Sequence, residues 1–116
     1  MNADTTDTST SEAPAGWHLN PGGDGDWVEW GEGGLARAKV LAEGDGYLVV
    51  LVEAQTGYVG TPHEHTNTEF AYVLEGQLRN QGEVMGPGGA YVAQAGSRHD
   101  DFEALVPSTY LSIFKL

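Results

Sequence analysis

The sequence predicts a single all-β domain, an antiparallel barrel or sandwich. Short β-prone runs recur along the chain, glycines separate them, and no ten-residue stretch has helical periodicity. The 116 residues are enough for one domain core and leave no room for a second one.

The first predicted elements are a tail and a tryptophan-containing segment. Residues 1–15 are polar and acidic without periodicity, so we expect a disordered acidic tail, followed by the folded domain over residues 16–116. In residues 16–34, Trp17, Trp27 and Trp30 stand among glycines and acids. This pattern favours loops and a short edge strand whose tryptophans cover the open side of the core, with stacking on a ligand as the alternative.

The remaining elements are strands. Residues 35–42 and 47–54 form a predicted hairpin around Glu43-Gly44-Asp45-Gly46, a turn sequence suited to positive φ. Further strands are predicted at residues 69–74, 77–80, 90–94, 101–104 and 109–115.

Charge and composition exclude several function classes. Seventeen acidic residues against five basic ones give a formal charge of -12, which repels nucleic acid and anionic membranes. Cysteine is absent, so thiolate metal sites and disulfides are excluded. The polar N-terminus lacks the features of a secretory signal and no apolar run is long enough to span a membrane, so we expect a cytoplasmic protein.

Three of the four histidines lie in two glycine-bounded segments. His63 and His65 are two residues apart, so on an extended strand both imidazoles face one point while Glu64 faces away. Glu69 can return a carboxylate to that point, and His99 follows the turn Gly96-Ser97-Arg98. Taken alone, each of these residues is more often an exposed surface residue than a ligand. Because cysteine is absent, any metal held at that point must be bound by nitrogen and oxygen atoms.

These segments resemble the two motifs of the cupin superfamily. Gly57, His63, His65, Glu69 and Gly76 match every step of the first motif. The second motif is matched by Gly88, Gly96 and His99, whereas Gln94 and Glu103 replace its usual proline and asparagine. We expect Gln94 either to loosen the turn slightly or to point its amide at the cavity. Glu103 is expected to be exposed, with orienting a ligand or acting as a base as the alternatives.

The resemblance implies a cupin double-stranded β-helix, a jelly-roll barrel, in which His63, His65, Glu69 and His99 hold one divalent metal. Such a ligand set suits transition ions, with Fe(II) preferred and Mn, Ni, Cu, Co or Zn as alternatives. Two octahedral positions then stay open for substrate and for oxygen or water. The resulting positive site favours a small organic anion as substrate. No catalytic residue beyond the metal ligands is predicted.

Strand parity and side-chain type suggest further pocket residues. Ala71 and Val73 share the face of Glu69, which leaves Phe70 and Tyr72 for the opposite face and for the interface of an expected homodimer. Residues proposed to line the substrate pocket are Ala71, Val73, Arg79, Tyr91, Phe102 and Glu103. Arg79 can pair with a substrate carboxylate there, or simply balance nearby acids at the surface.

The leading functional hypothesis is a metal-dependent enzyme acting on a small enolisable or phenolic substrate. Within it, the resemblance to cupin dioxygenases favours dioxygen-dependent cleavage. The alternatives are a non-oxidative metal-dependent isomerase, cyclase or lyase, and a non-catalytic cupin that senses a metal or ligand.

Overall fold

The computed structural model describes residues 14–116, so the predicted tail lies almost wholly outside the described residues. Within this part the chain is all-β. Its eleven strands are β1 (Val28–Glu29), β2 (Ala36–Gly44), β3 (Tyr47–Ala54), β4 (His63–Glu64), β5 (Glu69–Glu75), β6 (Leu78–Asn80), β7 (Glu83–Met85), β8 (Ala90–Ala93), β9 (Arg98–His99), β10 (Phe102–Ala104) and β11 (Ser108–Lys115). Across residues 14–116 no helix has the length and apolar character needed to span a membrane.

The strands form a jelly-roll barrel from three antiparallel sheets. The large sheet has the order β1-β2-β3-β11-β5-β8, and a three-stranded sheet has the order β10-β6-β7. A two-stranded sheet pairs β4 with β9 near one end of the barrel. An isolated bridge between Val59 and Glu103 links the segment before β4 to the three-stranded sheet. The predicted all-β fold class is confirmed.

The predicted hairpin around residue 45 is present. Strands β2 and β3 pair up to Gly44 and Tyr47, and the two turn residues, Asp45 and Gly46, have φ values of 54° and 84°. Two consecutive positive φ values are the requirement of a type I′ turn, whose twist matches that of the flanking strands. The turn chemistry of the sequence therefore fixes this register.

The core lies between the large sheet and the three-stranded sheet. On β5, Ala71 and Val73 are buried, whereas Phe70 and Tyr72 are 53% and 45% exposed, as strand parity predicted. Leu78 on β6 packs into the same core cluster. This alternation leaves one face of β5 for the barrel interior, where the functional residues also lie.

Three short strands were not predicted. Strands β4, β7 and β9 have only two or three residues each, too few to show alternation. They are strands because of their partners: β4 pairs with β9, and β7 follows the tight turn at Gln81-Gly82 and pairs with β6. Such pairings depend on the assembled barrel and leave no local signal.

The tryptophan prediction is right for one residue and wrong for another. Trp30 packs against the core, with its ring centroid 6.3 Å from that of Phe114. Trp27 lies under the cations of Arg37 and Lys39. Trp17 is 64% exposed and does not cover the core.

Gly76 provides a stability prediction. It has a φ of 92°, and a Cβ at this position would lie 2.3 Å from Ser108 Oγ and 2.5 Å from the carbonyl oxygen of Pro107. Left-handed backbone costs a non-glycine residue about 1–3 kcal/mol, and the backbone clash adds to it, so Gly76→Ala is expected to cost about 3 kcal/mol or more. Urea unfolding measures the loss.

Gly82 is the matched control for this measurement. Its φ is 84°, but a Cβ there would meet no atom within 4 Å. Gly82→Ala therefore carries the backbone cost alone and is expected to lose clearly less stability. Equal losses in the two variants would contradict the role of close packing at Gly76.

Candidate metal centre and adjoining pocket

Three histidines meet at one end of the barrel. The pairing of β4 with β9 sets His63 directly opposite His99. His65 follows β4, and its backbone N–H and C=O bond to Ser97 and Gly96 in the turn before β9. The ring nitrogens that His63, His65 and His99 offer lie within 4.8 Å of one another. These three histidines, called the histidine cluster below, can bind a metal ion.

The hydrogen bonds of the cluster are consistent with metal binding. His63 Nδ1 lies 2.8 Å from the carbonyl oxygen of Thr61, to which it donates, so Nε2 keeps a free lone pair. His65 is 7% exposed, and its Nε2 is buried without a hydrogen-bond partner. A buried unpaired nitrogen is costly unless a ligand satisfies it, and a divalent metal would do so.

Glu69, the fourth predicted ligand, lies beside the cluster rather than in it. Its Oε2 accepts a hydrogen bond from Ser112 Oγ at 2.5 Å, and its Oε1 is 3.6 Å from His65 Nδ1. The carboxylate is not among the ligand atoms that the structure gathers within 4.8 Å. Ser112, on the neighbouring strand β11, holds it at the edge of the site.

A pocket of about 250 Å³ adjoins the cluster. Besides His63, His99 and Glu69, it is bordered mainly by aromatic side chains and small residues: Trp30, Gly31, Tyr58, Gly60, Thr61, Tyr91, Phe102 and Tyr110. A mostly apolar wall with a few converging polar groups is the usual composition of a small-molecule site. Among the residues predicted for the substrate pocket, Tyr91 and Phe102 border this pocket.

The tyrosine hydroxyls in the pocket stay protonated at neutral pH. Burial, and next the negative charge of Glu69, raise the pKa of Tyr58. The pKa of Tyr91 is raised strongly by the same two causes in the same order. Tyr110 is also buried, and its pKa lies well above the usual range. Each hydroxyl is therefore a hydrogen-bond donor toward an oxygen-rich ligand.

The other four residues proposed for the pocket do not border it. Ala71 and Val73 face the barrel interior but are buried, 4% and 1% exposed, because the apolar core fills that part of the barrel. Arg79 donates to Glu103 Oε1 at 2.5 Å and to Asp101 Oδ1 at 3.2 Å. Arg79 and Glu103 thus pair across β6 and β10 rather than facing the substrate pocket.

Sequence reasoning missed two polar residues at this site, Ser112 and Asn80. Both are buried, at 0% and 8% exposure, and each stands at an inward position of a strand. His99 Nε2 lies 2.7 Å from Asn80 Oδ1. A small polar residue at an inward position between apolar ones is the signal that identifies both, since such a group needs a specific partner in the interior.

The environment of His99 leads to a pH prediction for the metal-free protein. Burial, and next the neighbouring His65 and His63, lower the pKa of His99 to about 4, although Asp100 opposes the shift. In the unfolded chain a histidine titrates near 6.5, so between these values the unfolded state binds a proton that the folded state does not. The contribution of His99 to the free energy of unfolding is therefore present above pH 6.5, and it is lost as the pH falls toward 4.

The expected loss between pH 7 and pH 5 is about 2 kcal/mol, measured by urea unfolding in the presence of a chelator. His99→Gln removes the titrating group and should flatten this part of the pH profile. An unchanged slope in the variant would show that other groups cause the dependence.

Comparison with known proteins decides the family. Residues 19–115 match the model of the ChrR cupin-like domain. The chain belongs to this cupin family. The resemblance that the two histidine motifs indicated is thereby confirmed, and the jelly-roll barrel is a cupin barrel.

Two proteins are similar to this cupin in sequence, and one of them also in structure. The pectin degradation protein KdgF of Dickeya dadantii strain 3937 is 30% identical over 78 residues, which span 63% of this chain and 69% of that protein. The structure of KdgF from Halomonas sp. is also 30% identical, with a TM-score of 0.69, covering 78% of this chain and 84% of that one.

An acetylacetone dioxygenase from Acinetobacter johnsonii is similar in fold. It is 12% identical and has a TM-score of 0.68, with coverage of 99% of this chain and 80% of that chain. Identity this low supports a shared fold and says nothing by itself about a shared reaction.

Proposed function

We propose that this cupin is a metal-dependent enzyme that acts on a small, enolisable, oxygen-rich organic anion by non-oxidative proton transfer next to a carbonyl group. One observation carries the proposal: the Glu69 carboxylate borders the pocket beside the histidine cluster and is held there by Ser112. A positioned carboxylate near a cationic site is the arrangement that a proton-transfer enzyme needs.

His63, His65 and His99 are the proposed metal ligands, with Glu69 as a neighbouring carboxylate that can complete the shell or remain free. Imidazole ligands accommodate Fe(II), our first candidate, and also Mn, Ni, Cu, Co and Zn. When bound, such an ion supplies Lewis acidity that polarises a substrate carbonyl and favours loss of the adjacent proton. No redox change is needed, so any of these ions can serve.

The chain's own groups perform the remaining tasks. Glu69 accepts the proton from the carbon next to the carbonyl. The electron pair of the broken C–H bond forms a carbon–carbon double bond, and the pair of the C=O π bond moves to the carbonyl oxygen. Tyr58 and Tyr91, both protonated, donate hydrogen bonds to the substrate oxygens. A proton then moves from the hydroxyl on the deprotonated carbon to the former carbonyl oxygen. Return of the proton from Glu69 to the former carbonyl carbon, with re-formation of C=O at the neighbouring carbon, completes an isomerisation. Ser112 keeps the carboxylate oriented throughout.

The relatives support a sugar acid as the substrate class. Both proteins at 30% identity are named KdgF, and one is described as a pectin degradation protein. Pectin is a polymer of sugar acids, and its fragments are small anions with a carbonyl group beside hydroxylated carbons. Such molecules match the polar groups that line the pocket.

The test is solvent hydrogen exchange without oxygen. Metal-loaded protein is incubated anaerobically in D₂O with D-galacturonate and related keto and aldehydo sugar acids, and ¹H NMR follows the C–H signals next to the carbonyl. We expect metal-dependent loss of such a signal, or formation of an isomer, for at least one compound. Metal binding with no exchange on any compound would favour the alternative of a non-catalytic, ligand-sensing cupin.

The second candidate is dioxygen-dependent cleavage of a β-diketone or phenolic ketone. It is favoured by the cluster of three imidazoles, which suits Fe(II), next to an aromatic pocket. An oxygen electrode with the Fe(II)-loaded protein and acetylacetone tests it. Stoichiometric oxygen uptake would support cleavage, and uptake no faster than with free Fe(II) would leave the non-oxidative reaction as the conclusion.

We also propose a homodimer. Phe70, Tyr72 and Val92 are 53%, 45% and 50% exposed, and they lie together on the outer face of paired strands β5 and β8. Adjoining apolar side chains of this size favour burial against a second surface. Light scattering is expected to give twice the mass of one chain. The substitution Tyr72→Glu is expected to shift the mass toward that of the monomer, and a monomeric wild type would contradict the proposed dimer.

The cytoplasmic location stays a prediction.

A further inference from the structure

A second pocket borders the histidine cluster. It is formed by residues of β7, β8 and the turn at residues 94–98, and is called the seam pocket below. Its volume is about 710 Å³, against about 250 Å³ for the aromatic pocket. His65 borders the seam pocket, whereas His63 and Glu69 border the aromatic pocket. His99 and Tyr91 border both, so these two side chains lie between the pockets.

The seam pocket follows from the topology of the barrel. Strand β8 is the last strand of the large sheet, and β7 is the last strand of the three-stranded sheet. Within residues 14–116 neither strand pairs with another on its outer edge, so the barrel is open between them. Their connection, residues 86–89, is held to the barrel by hydrogen bonds of Gly88 and Gly89 with Val73 of β5. The opening is therefore part of the folded framework.

The lining of the seam pocket is polar but carries no net charge. Amides, a hydroxyl and two apolar side chains come from Asn80, Gln81, Gln94, Ser97, Met85 and Val92. Glu83 and Arg98 contribute opposite charges, and Arg98 is already paired with Asp100. Amides and hydroxyls both donate and accept hydrogen bonds, as the hydroxyl groups of a sugar do, and the C–H faces of a sugar ring match apolar side chains. The lining thus favours an uncharged, hydroxyl-rich ligand over an ion.

Gln94 distinguishes this pocket from the usual motif. It stands where the second cupin motif usually has proline, which has no side-chain hydrogen-bonding group. Its backbone carbonyl oxygen accepts hydrogen bonds from the N–H of Ser97 at 3.0 Å and from Ser97 Oγ at 2.6 Å, so the turn is closed without the proline. The Gln94 side chain is exposed and borders the seam pocket, which favours the expectation of an amide at a cavity over that of a loosened turn.

We propose that the seam pocket is a second binding site of this cupin, that its ligand is an uncharged, hydroxyl-rich molecule such as a sugar, and that the Gln94 amide binds the hydroxyl groups. The site does not depend on the reaction proposed for the aromatic pocket, because the two linings share only Tyr91 and His99. An anionic ligand is expected in the aromatic pocket beside the proposed metal, and a neutral sugar in the seam pocket.

The experiment detects the side-chain amides directly. Two-dimensional ¹H–¹⁵N spectra of the full chain, metal-free and Zn(II)-loaded, follow titration with D-galactose, D-glucose, D-mannose and L-rhamnose, and with D-galacturonate as the anionic comparison. Gln94→Leu removes the amide, and Gln94→Pro restores the usual residue of the motif. Gln55→Leu is the matched control, because Gln55 is exposed and lies outside the seam pocket. Thermal unfolding by circular dichroism checks that each variant folds.

We expect at least one neutral sugar to shift the side-chain NH₂ signals of Gln94 and Asn80, with a dissociation constant on the order of 1 mM, as a ligand of this size allows. Both Gln94 variants should bind about tenfold more weakly, and Gln55→Leu should bind like the wild type. D-Galacturonate should shift the Gln94 signal less than the neutral sugar does.

Three results would overturn the inference. They are no binding of any of the four sugars, full affinity in the folded Gln94 variants, and a Gln94 signal that responds to D-galacturonate as strongly as to a neutral sugar. Neutral-sugar binding at Gln94 without hydrogen exchange on any sugar acid would contradict the proposed reaction and support this second site.

Discussion

His65→Ala is expected to lower the affinity for Zn(II) or Co(II) by more than about 100-fold, because loss of an outer partner alone costs about 10- to 100-fold and this change removes a ligand. His65 is the most buried member of the cluster, and its Nε2 has no protein partner. Metal titration of the chelator-stripped protein measures the effect. Any metal-dependent turnover should disappear with the metal.

His18→Ala is the control for this substitution. His18 is exposed in the segment before β1 and is not part of the cluster. It therefore tests whether any surface histidine contributes to the measured binding. His65→Gln preserves more of the side-chain volume, and it replaces the alanine variant in the metal titration if that variant folds poorly. Wild-type affinity in a folded His65 variant would contradict the three-histidine site.

Glu69→Gln is expected to lower turnover by about 10²- to 10⁴-fold, the range that general acid–base groups contribute. The amide keeps the size of the side chain and can still accept from Ser112, but it cannot take up a proton at neutral pH. We expect the metal affinity to change by only a few-fold. Turnover of the substrate identified by hydrogen exchange, together with metal titration, separates these two effects.

The outcome also decides between two roles of Glu69. The motif resemblance implies a metal ligand, whereas the structure places the carboxylate beside the cluster with Ser112. A parallel loss of metal affinity and turnover would assign Glu69 to the metal shell and remove it as the base. Glu75→Gln, an exposed change on the same strand, is the control for altered charge.

The predictable part of the fold is the part encoded by local chemistry. Asp45 and Gly46 can adopt the positive φ values that the β2–β3 turn requires. The alternation along β5 separates buried Ala71 from exposed Tyr72. The two-residue strands that bring the histidines together have no such pattern. Motif spacing nevertheless predicted that His63, His65 and His99 converge, because that spacing reflects the geometry of the whole barrel.

The rest of the site depends on contacts between distant segments. Arg79 was proposed for the substrate pocket, but the adjacent strand β10 supplies Glu103 and the preceding turn supplies Asp101 to bind it. Asn80 and Ser112 acquire roles only when β6 approaches β9 and β11 lies beside β5. These are tertiary juxtapositions, which a single sequence does not display.

The most direct test of the central claim is the metal content of untagged protein. The chain is purified without chelator, stripped, reloaded with Fe(II), Co(II) or Zn(II), dialysed and measured by plasma mass spectrometry. We predict retention of about one divalent transition ion per chain and its loss in His65→Ala, as expected for a site of three imidazoles. Retention by the wild type no greater than by His65→Ala would contradict the metal centre and the chemistry proposed for it.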